Sequence, residues 1–149
     1  LIRDAKITDL PILLDMGERF FNASEFVKVT IYDPISFQST ALQLIDSDIL
    51  LVGEDDGKVV GMIGALVYPL YFNQSHITGQ EMFWWVDEDK RKSKVGRDLL
   101  RVLEQRAKDM GANSFAMISL DSMNPKLMDR VYKMKGYFPA EHTYYKRIT

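Results

Sequence analysis

Val86-Asp87-Glu88-Asp89-Lys90-Arg91-Lys92-Ser93-Lys94-Val95-Gly96-Arg97 joins a strand pattern to a helix pattern. Upstream, Gln80 to Val86 is bulky and apolar, and strict alternation places Glu81, Phe83 and Trp85 on one face. Met82, Trp84 and Val86 then share the other. Downstream, Val95, Leu99, Val102, Leu103, Arg106, Ala107 and Met110 fall near one side of a helix that Gly111 stops. Arg106, at the edge of that side, can snorkel. Five of the eight residues from Lys90 to Arg97 are Lys or Arg. A helix N-terminus favours carboxylates, by about 0.3–1 kcal/mol each, so cations there are locally unfavourable until an anion joins them. The free N–H groups of a first helical turn bind anions. A solvated basic turn is the bland alternative; a phosphate-binding turn explains why the helix breaks its own rule.

Around this turn the chain alternates between strands and helices. Ile2 to Ala5 fits a short strand, and Thr8 can cap a helix carrying Leu10, Leu13, Leu14, Phe20 and Phe21, with Pro11 tolerated in its first turn. Asp33-Pro34 starts a second helix, with Asp as cap and Pro at the first helical position, ending near Ser47. Ile49–Glu54 and Lys58–Tyr68 read as strands joined by the hairpin signal Asp55-Asp56-Gly57. Pro69 to Gly79 reads as a long polar and aromatic excursion. Ser114 to Leu120 fits a buried strand, Asn124-Pro125 starts a shorter helix that Gly136 ends, and Tyr137 to Ile148 supplies one or two closing strands. The order predicts an α/β or α+β sheet covered by helices.

With 149 residues the chain fits one domain, 1–149, and buries roughly 68–70% of its unfolded surface. A formal net charge of −2 argues against a general nucleic-acid binder and leaves the basic turn a local feature. The absence of cysteine excludes disulfides, thiolate metal ligands and a cysteine nucleophile, and is compatible with the reducing cytoplasm. His76 and His142 alone do not make a multi-histidine metal site. Val59 to Leu70, the longest uncharged apolar run, is shorter than the about 20 residues of a bilayer span. The chain opens on Leu1 rather than an initiator methionine, and no signal segment follows. No Gly-rich run ends in Gly-Lys-Ser/Thr, so a P-loop is excluded.

The order of elements and two local motifs resemble the GCN5-related N-acetyltransferases (GNAT), with the sharpest likeness between Gln80 and Tyr137. The family signature is Arg or Gln, two residues, Gly, one residue, then Gly or Ala; its amides hold the pyrophosphate of coenzyme A. Here Arg91-Lys92-Ser93-Lys94-Val95-Gly96 matches at Arg91 and Gly96, with Lys94 replacing the first Gly. A left-handed Lys94 would cost roughly 1 kcal/mol or more. A right-handed Lys94 places an ammonium near the phosphates instead. The second motif is an Asn at a helix start, a Tyr within the helix and a Gly-aromatic pair four residues on, matched by Asn124, Tyr132 and Gly136-Tyr137.

The resemblance implies a mixed, largely antiparallel sheet of six or seven strands flanked by about four helices. It implies acetyl transfer from acetyl-CoA to a small-molecule or peptide amine, by direct attack in a ternary complex and without a metal. Tyr132 then protonates the departing thiolate, for which a phenol of pKa near 10 is suited. Packing alone is the other reading of Tyr132. Glu81 is the candidate base, with Asp121 or a water chain as alternatives, and a surface-facing strand Glu as the bland reading. Trp84, Trp85 and Val86 would offer backbone groups to the pantetheine arm. Arg91, Lys92, Ser93, Lys94, Val95, Gly96 and Arg97 would cradle the diphosphate, and Asn124 completes the cofactor-binding set. Phe26, Tyr32, Tyr71, Phe72 and His76 are candidates for an acceptor cleft, or for core and dimer contacts. The resemblance leaves a homodimer open. Two rival readings are an acyl-CoA-binding protein of the same fold without turnover and a nucleic-acid-contacting protein using Lys90 to Arg97.

Overall fold

The computed structural model describes residues 1–149. Its elements run β1 (Ile2–Asp4), α1 (Leu10–Ala23), α2 (Pro34–Asp46), β2 (Leu50–Asp55), β3 (Lys58–Leu70), β4 (Asn73–Val86), α3 (Val95–Asp109), β5 (Ser114–Ala116) and α4 (Pro125–Met134). The five strands form one sheet in sequence order, antiparallel throughout except for the parallel pair β4–β5. Leu44 of α2 meets one face at Gly64, and Leu99 of α3 meets the other at Gly61. Between these layers Leu13, Met16, Leu50, Leu51, Met62, Ile63, Leu99, Leu100 and Leu103 are buried. Each such side chain contributes about 1.5–3 kcal/mol relative to exposure. Gly53 sets the seat of α3, because a Cβ there would stand 2.6 Å from Val95 Cγ1. The start of α3 can therefore lie directly on the sheet.

Several local expectations hold. Asp33 caps α2 by accepting the Ile35 amide, and Pro34 occupies its first position. Asp56 and Gly57 both have positive φ in the β2–β3 turn, the geometry that joins tightly paired strands. Gly111 and Gly136 end α3 and α4 with φ of +97° and +90°. Arg106 reaches past the helix edge to the Asp48 carbonyl at 2.5 Å and the Asp4 carboxylate at 2.8 Å.

Others are corrected. Thr8 caps nothing: Ile7–Asp9 is a short 3-10 turn. Asp9 instead accepts the Lys6 amide and both terminal nitrogens of Arg3. Pro69 to Gly79 is not an excursion. β3 continues to Leu70, reverses through Tyr71-Phe72, and returns as β4 from Asn73. β2 pairs with β3 only as far as Gly64, so the missing N–H of Pro69 leaves no gap on that edge. The sheet has five strands, not six or seven. β5 stops at Ala116 because it pairs with β4 only over Thr78–Gln80, and residues 138–149 form no strand.

Candidate active site

β4 and β5 part company after Gln80 and Ala116. β4 continues along β3 to Val86, while the chain beyond Ala116 leaves the sheet. The register explains which side chains enter the fork. Phe83 pairs with Gly64 but Glu81 pairs with Ala65, so Met82 is an extra residue, a β-bulge. Strict alternation therefore fails at Met82, and Glu81 does not share a face with Phe83 and Trp85 as the sequence pattern predicts. The bulge turns Glu81 inward to a cavity of about 130 Å³, lined also by Phe20, Phe26, Met82, Trp84, Ile118, Ser119, Leu120, Met123, Met128 and Tyr132.

Glu81 is 4% exposed, which overturns the surface-facing reading. Burial pushes its carboxyl up to about 8, and only the backbone amide of Ile118 acts in the opposite direction. Tyr132 is buried as well, and its hydroxyl donates to the Ile118 carbonyl at 2.9 Å. Burial is the main cause of its raised pKa, followed by the negative charges of Glu81 and Tyr137, so the phenol stays protonated across the physiological range. Its ring lies between those of Trp84 and Tyr137, with centroids 6.5 and 5.7 Å away. The cavity thus holds a carboxyl that titrates near neutrality and a phenol that does not.

The basic turn borders the same fork. Lys94 has φ −78° and ψ −11°, a right-handed conformation that needs no glycine. Lys94 is the N-cap, Ser93 just before it accepts the Val95 amide at its Oγ at 3.3 Å, and Asp98 to Lys94 is the first helical backbone bond. The amides of Gly96 and Arg97 remain free, as the first turn of a helix requires. Gly96 packs against Val86 and Trp84; a Cβ there would stand 4.0 Å from Trp84 Nε1. That indole nitrogen is buried and has no acceptor within the chain. The cations divide. Lys90 pairs with Asp55 at 2.6 Å, and Arg91 donates to the Val86 carbonyl at 2.9 Å with its guanidinium 4.7 Å over the Trp85 ring. Lys92, Lys94 and Arg97 are exposed and free of carboxylate partners.

Several residues singled out by sequence have other duties. Trp85 is buried, with Nε1 donating to Asp87 at 3.2 Å and its ring edge-on to Phe20. Asn124 takes a left-handed conformation and caps α4 at the Leu127 amide. Asp121 is exposed and does not line the cavity. Of the acceptor candidates, only Phe26 reaches it. Tyr32 donates to the Leu14 carbonyl between Phe21 and Phe37, Tyr71 and Phe72 stack on each other at the exposed hairpin tip, and His76 meets Ser114 Oγ at 2.8 Å. Sequence reasoning missed Phe20, Ile118, Ser119, Leu120, Met123 and Met128, none of which bears a motif. It also missed Arg19, which braces Asp87 at 2.7 Å. No group of three or more His, Asp and Glu side chains is placed to hold a metal ion, and no helix is long and apolar enough to cross a membrane.

Similar architectures occur in solved structures. A transcriptional regulator from Bacillus halodurans C-125 is 18% identical with a TM-score of 0.79, each chain being 99% covered. AAC(6')-Iy in complex with the bisubstrate analogue CoA-S-monomethyl-acetylneamine is 15% identical, with a TM-score of 0.78 over 100% of this chain and 97% of that one. A ribosomal-protein-alanine N-acetyltransferase from Brucella melitensis biovar Abortus 2308 is 16% identical, with a TM-score of 0.72 and 99% of each chain covered. At these identities the likeness shows the fold. No curated protein sequence matches the chain. Residues 17–137 match the family model described as Acetyltransferase (GNAT) family, which spans most of the chain and takes in the bulge, the basic turn and α4. The chain belongs to the Acetyltransferase (GNAT) family.

Proposed function

We propose that the chain transfers an acetyl group from acetyl-CoA to an amine within a ternary complex. The observation that carries this reading is the meeting of Glu81 and Tyr132 at one cavity, beside a helix N-terminus with three unpaired cations. The residues present fit coenzyme A. Free amides at Gly96 and Arg97, with Lys92, Lys94 and Arg97 around them, suit a diphosphate. Ser93 and Val95 shape that turn, and the orphaned Trp84 Nε1 offers a buried donor on the way to the cavity. The backbone of Trp84 to Val86 would flank the pantetheine arm. Arg91 and Asn124 support the turn and α4 from behind.

Bound acetyl-CoA supplies the activated acetyl group. The protein's part is proton management and orientation. The acceptor arrives as an ammonium, with an ordinary pKa near 10.4 for a lysine-like amine. Glu81, once ionised, accepts a proton from that nitrogen at its carboxylate oxygen. Its raised pKa makes it a better base near neutrality than an ordinary carboxylate. A backbone N–H polarises the acyl oxygen. The Tyr132 hydroxyl gives its proton to the leaving sulfur as the carbon–sulfur bond breaks, and the second proton lost by the acceptor nitrogen restores the phenol. With no cysteine available, no acyl-thiol enzyme is needed or possible.

The acceptor is a small amine or a peptide amine. Phe20, Phe26 and Met123 give the cavity an apolar wall, and the Glu81 carboxyl is the one acidic group in its lining, which suits an amine acceptor. One of the similar structures holds an analogue built on neamine. An aminoglycoside is therefore the first acceptor to test. The nucleic-acid alternative is weakened by Lys90 and Arg91, which are engaged with Asp55 and Val86. Binding without turnover is separated from catalysis by thiol release. Incubation with acetyl-CoA and a panel of aminoglycosides, polyamines and peptides should release free coenzyme A with at least one amine. Release that is equal with and without every amine rejects the transferase reading.

A further inference from the structure

The cavity at the fork is reached from both faces of the sheet. Phe83 and Trp85 face α1 and α2: Phe83 lies 5.3 Å from Phe37, and Trp85 is edge-on to Phe20. Trp84 and Val86 face α3, 3.6 and 3.4 Å from where a Cβ would stand at Gly96. The lining draws on both sides. Trp84 and Tyr132, with rings 6.5 Å apart, close the α3 side, while Phe20 of α1 and Phe26 just beyond it close the other. Met123 belongs with the phenylalanines, because the Ser122 hydroxyl donates to the Ala23 carbonyl at 2.6 Å and ties that loop to the end of α1. A donor laid along Trp84 from the start of α3 leaves the α1 side to the acceptor.

That side is apolar. Phe20, Phe26 and Met123 carry no charge, and Tyr145 extends their wall by standing edge-on to Phe26 at 5.5 Å. Glu81 is the one carboxyl in the whole lining. Glu25, beside Phe26 in the chain, lies outside it and faces Lys28 at 3.7 Å. One carboxylate matches one ammonium. A second ammonium a few bonds away would shed its water against phenyl rings and a thioether, with no partner to replace it, and such burial of an unpaired charge is heavily penalised. The space points the same way: about 130 Å³ is close to the roughly 150 Å³ of an apolar cavity that takes one benzene molecule.

We propose that the acceptor is a monoamine on an apolar body, one ring or a short alkyl chain, and that Phe20 and Phe26 select it over polycations. This inference rests on the transferase reading above and narrows it. The likeness to a chain that holds a neamine-based analogue concerns the fold, whereas the lining here ranks such polyamines last. Aminoglycosides are thus the informative comparison.

Initial rates of coenzyme A release are compared for 2-phenylethylamine, hexylamine, spermidine and neamine. The kcat/KM of each monoamine should exceed that of either polyamine at least about tenfold. Phe26→Ala, at a half-buried position, should raise the KM for 2-phenylethylamine about tenfold with little change in kcat, as the loss of one buried ring contact requires. Phe26→Asp should narrow the gap by supplying a second carboxylate. Polyamines turned over as well as the monoamines, or a ranking that neither variant moves, overturn the proposal; should the variants fail to fold, the ranking on the parent decides. No release with any amine is failure of the transferase reading itself. Calorimetric titration of 2-phenylethylamine and spermidine then decides the preference separately: tighter binding of the monoamine upholds it, and equal or absent binding overturns it.

Discussion

The Tyr132 hydroxyl donates to the carbonyl oxygen of Ile118 at 2.9 Å, so the proposed proton donor begins with its proton already shared. The amide of the same Ile118 acts on the Glu81 carboxyl. One residue at the fork of the sheet, through the two successive peptide groups that flank its Cα, thus contacts both proposed proton carriers. A ligand that enters the fork must compete with the Ile118 carbonyl for Tyr132, and the thiolate, being charged, is the stronger acceptor.

Tyr132→Phe separates chemistry from packing. The ring, held between Trp84 and Tyr137, stays in place, and loss of the Ile118 bond should cost about 0.5–1.5 kcal/mol of stability. The turnover number should fall about 10²–10⁴-fold, the usual contribution of a positioned acid, with little change in the KM for acetyl-CoA. Steady-state kinetics and a urea melt on the same preparation check both halves. An unchanged kcat leaves Tyr132 a packing residue.

Glu81 predicts a dependence of stability on pH. Its folded pKa, about 8, lies above the ordinary carboxylate value of 4.5. The unfolded chain therefore releases this proton first as pH rises, and the contribution to stability is lost between about pH 4.5 and pH 8. Glu81→Gln removes that loss. The variant should match the parent below about pH 4.5 and exceed it increasingly as pH rises, by about 5 kcal/mol above pH 8. In activity the sign is opposite. The parent's kcat/KM should rise with pH toward a midpoint near 8, and the variant should lose this rise. Denaturant melts at the two pH values, with a pH–rate profile, test the two signs independently.

How much of this was legible in the sequence follows from what each signal reports. Caps and turns act within four or five residues, so Asp33-Pro34, Asp56-Gly57, Gly111 and Gly136 were readable locally. Alternation along Gln80 to Val86 was also local, but it assumes an unbroken ladder. The extra residue Met82 is fixed by the pairing of β3 with β4, and no short-range signal reveals it. That is why Glu81 was recognised as a candidate while its face was misassigned. The cationic turn was legible as a broken rule. The division of its charges into Lys90 and Arg91, held by neighbours, and Lys92, Lys94 and Arg97, left free, is set by contacts with Asp55 and Val86. The closing strands expected from Tyr137 to Ile148 do not form, because β-branched and aromatic composition reports a preference and supplies no edge to pair with.

The free cations should carry coenzyme A affinity. Lys92→Ala, Lys94→Ala and Arg97→Ala should each weaken binding severalfold, and the triple variant should weaken it further and flatten its salt dependence. Lys90→Ala should leave affinity unchanged while removing the Asp55 pair. Lys94→Gly should weaken binding about as Lys94→Ala does without abolishing it, because φ of −78° at Lys94 makes no demand that only glycine meets. Calorimetric titration at low and high salt measures all six. Equal affinity for the parent and the triple variant would move the diphosphate site elsewhere.

Arg91 is the residue where the family motif and the geometry ask different questions. A phosphate ligand needs charge, and lysine supplies that. The observed role needs shape: Nε bonded to the Val86 carbonyl at 2.9 Å and a planar cation over the Trp85 ring. Lysine keeps the charge but cannot reproduce the fork or the stacking. Arg91→Lys and Arg91→Ala should therefore both destabilise the fold, by about 1–3 kcal/mol, since a charged hydrogen bond and a cation–π contact are lost in each. Their affinities for coenzyme A should fall together, following the loosened turn rather than the charge. If lysine instead restores affinity to the parent's value and both variants melt like the parent, then Arg91 leaves Trp85 when coenzyme A binds and acts on phosphate directly.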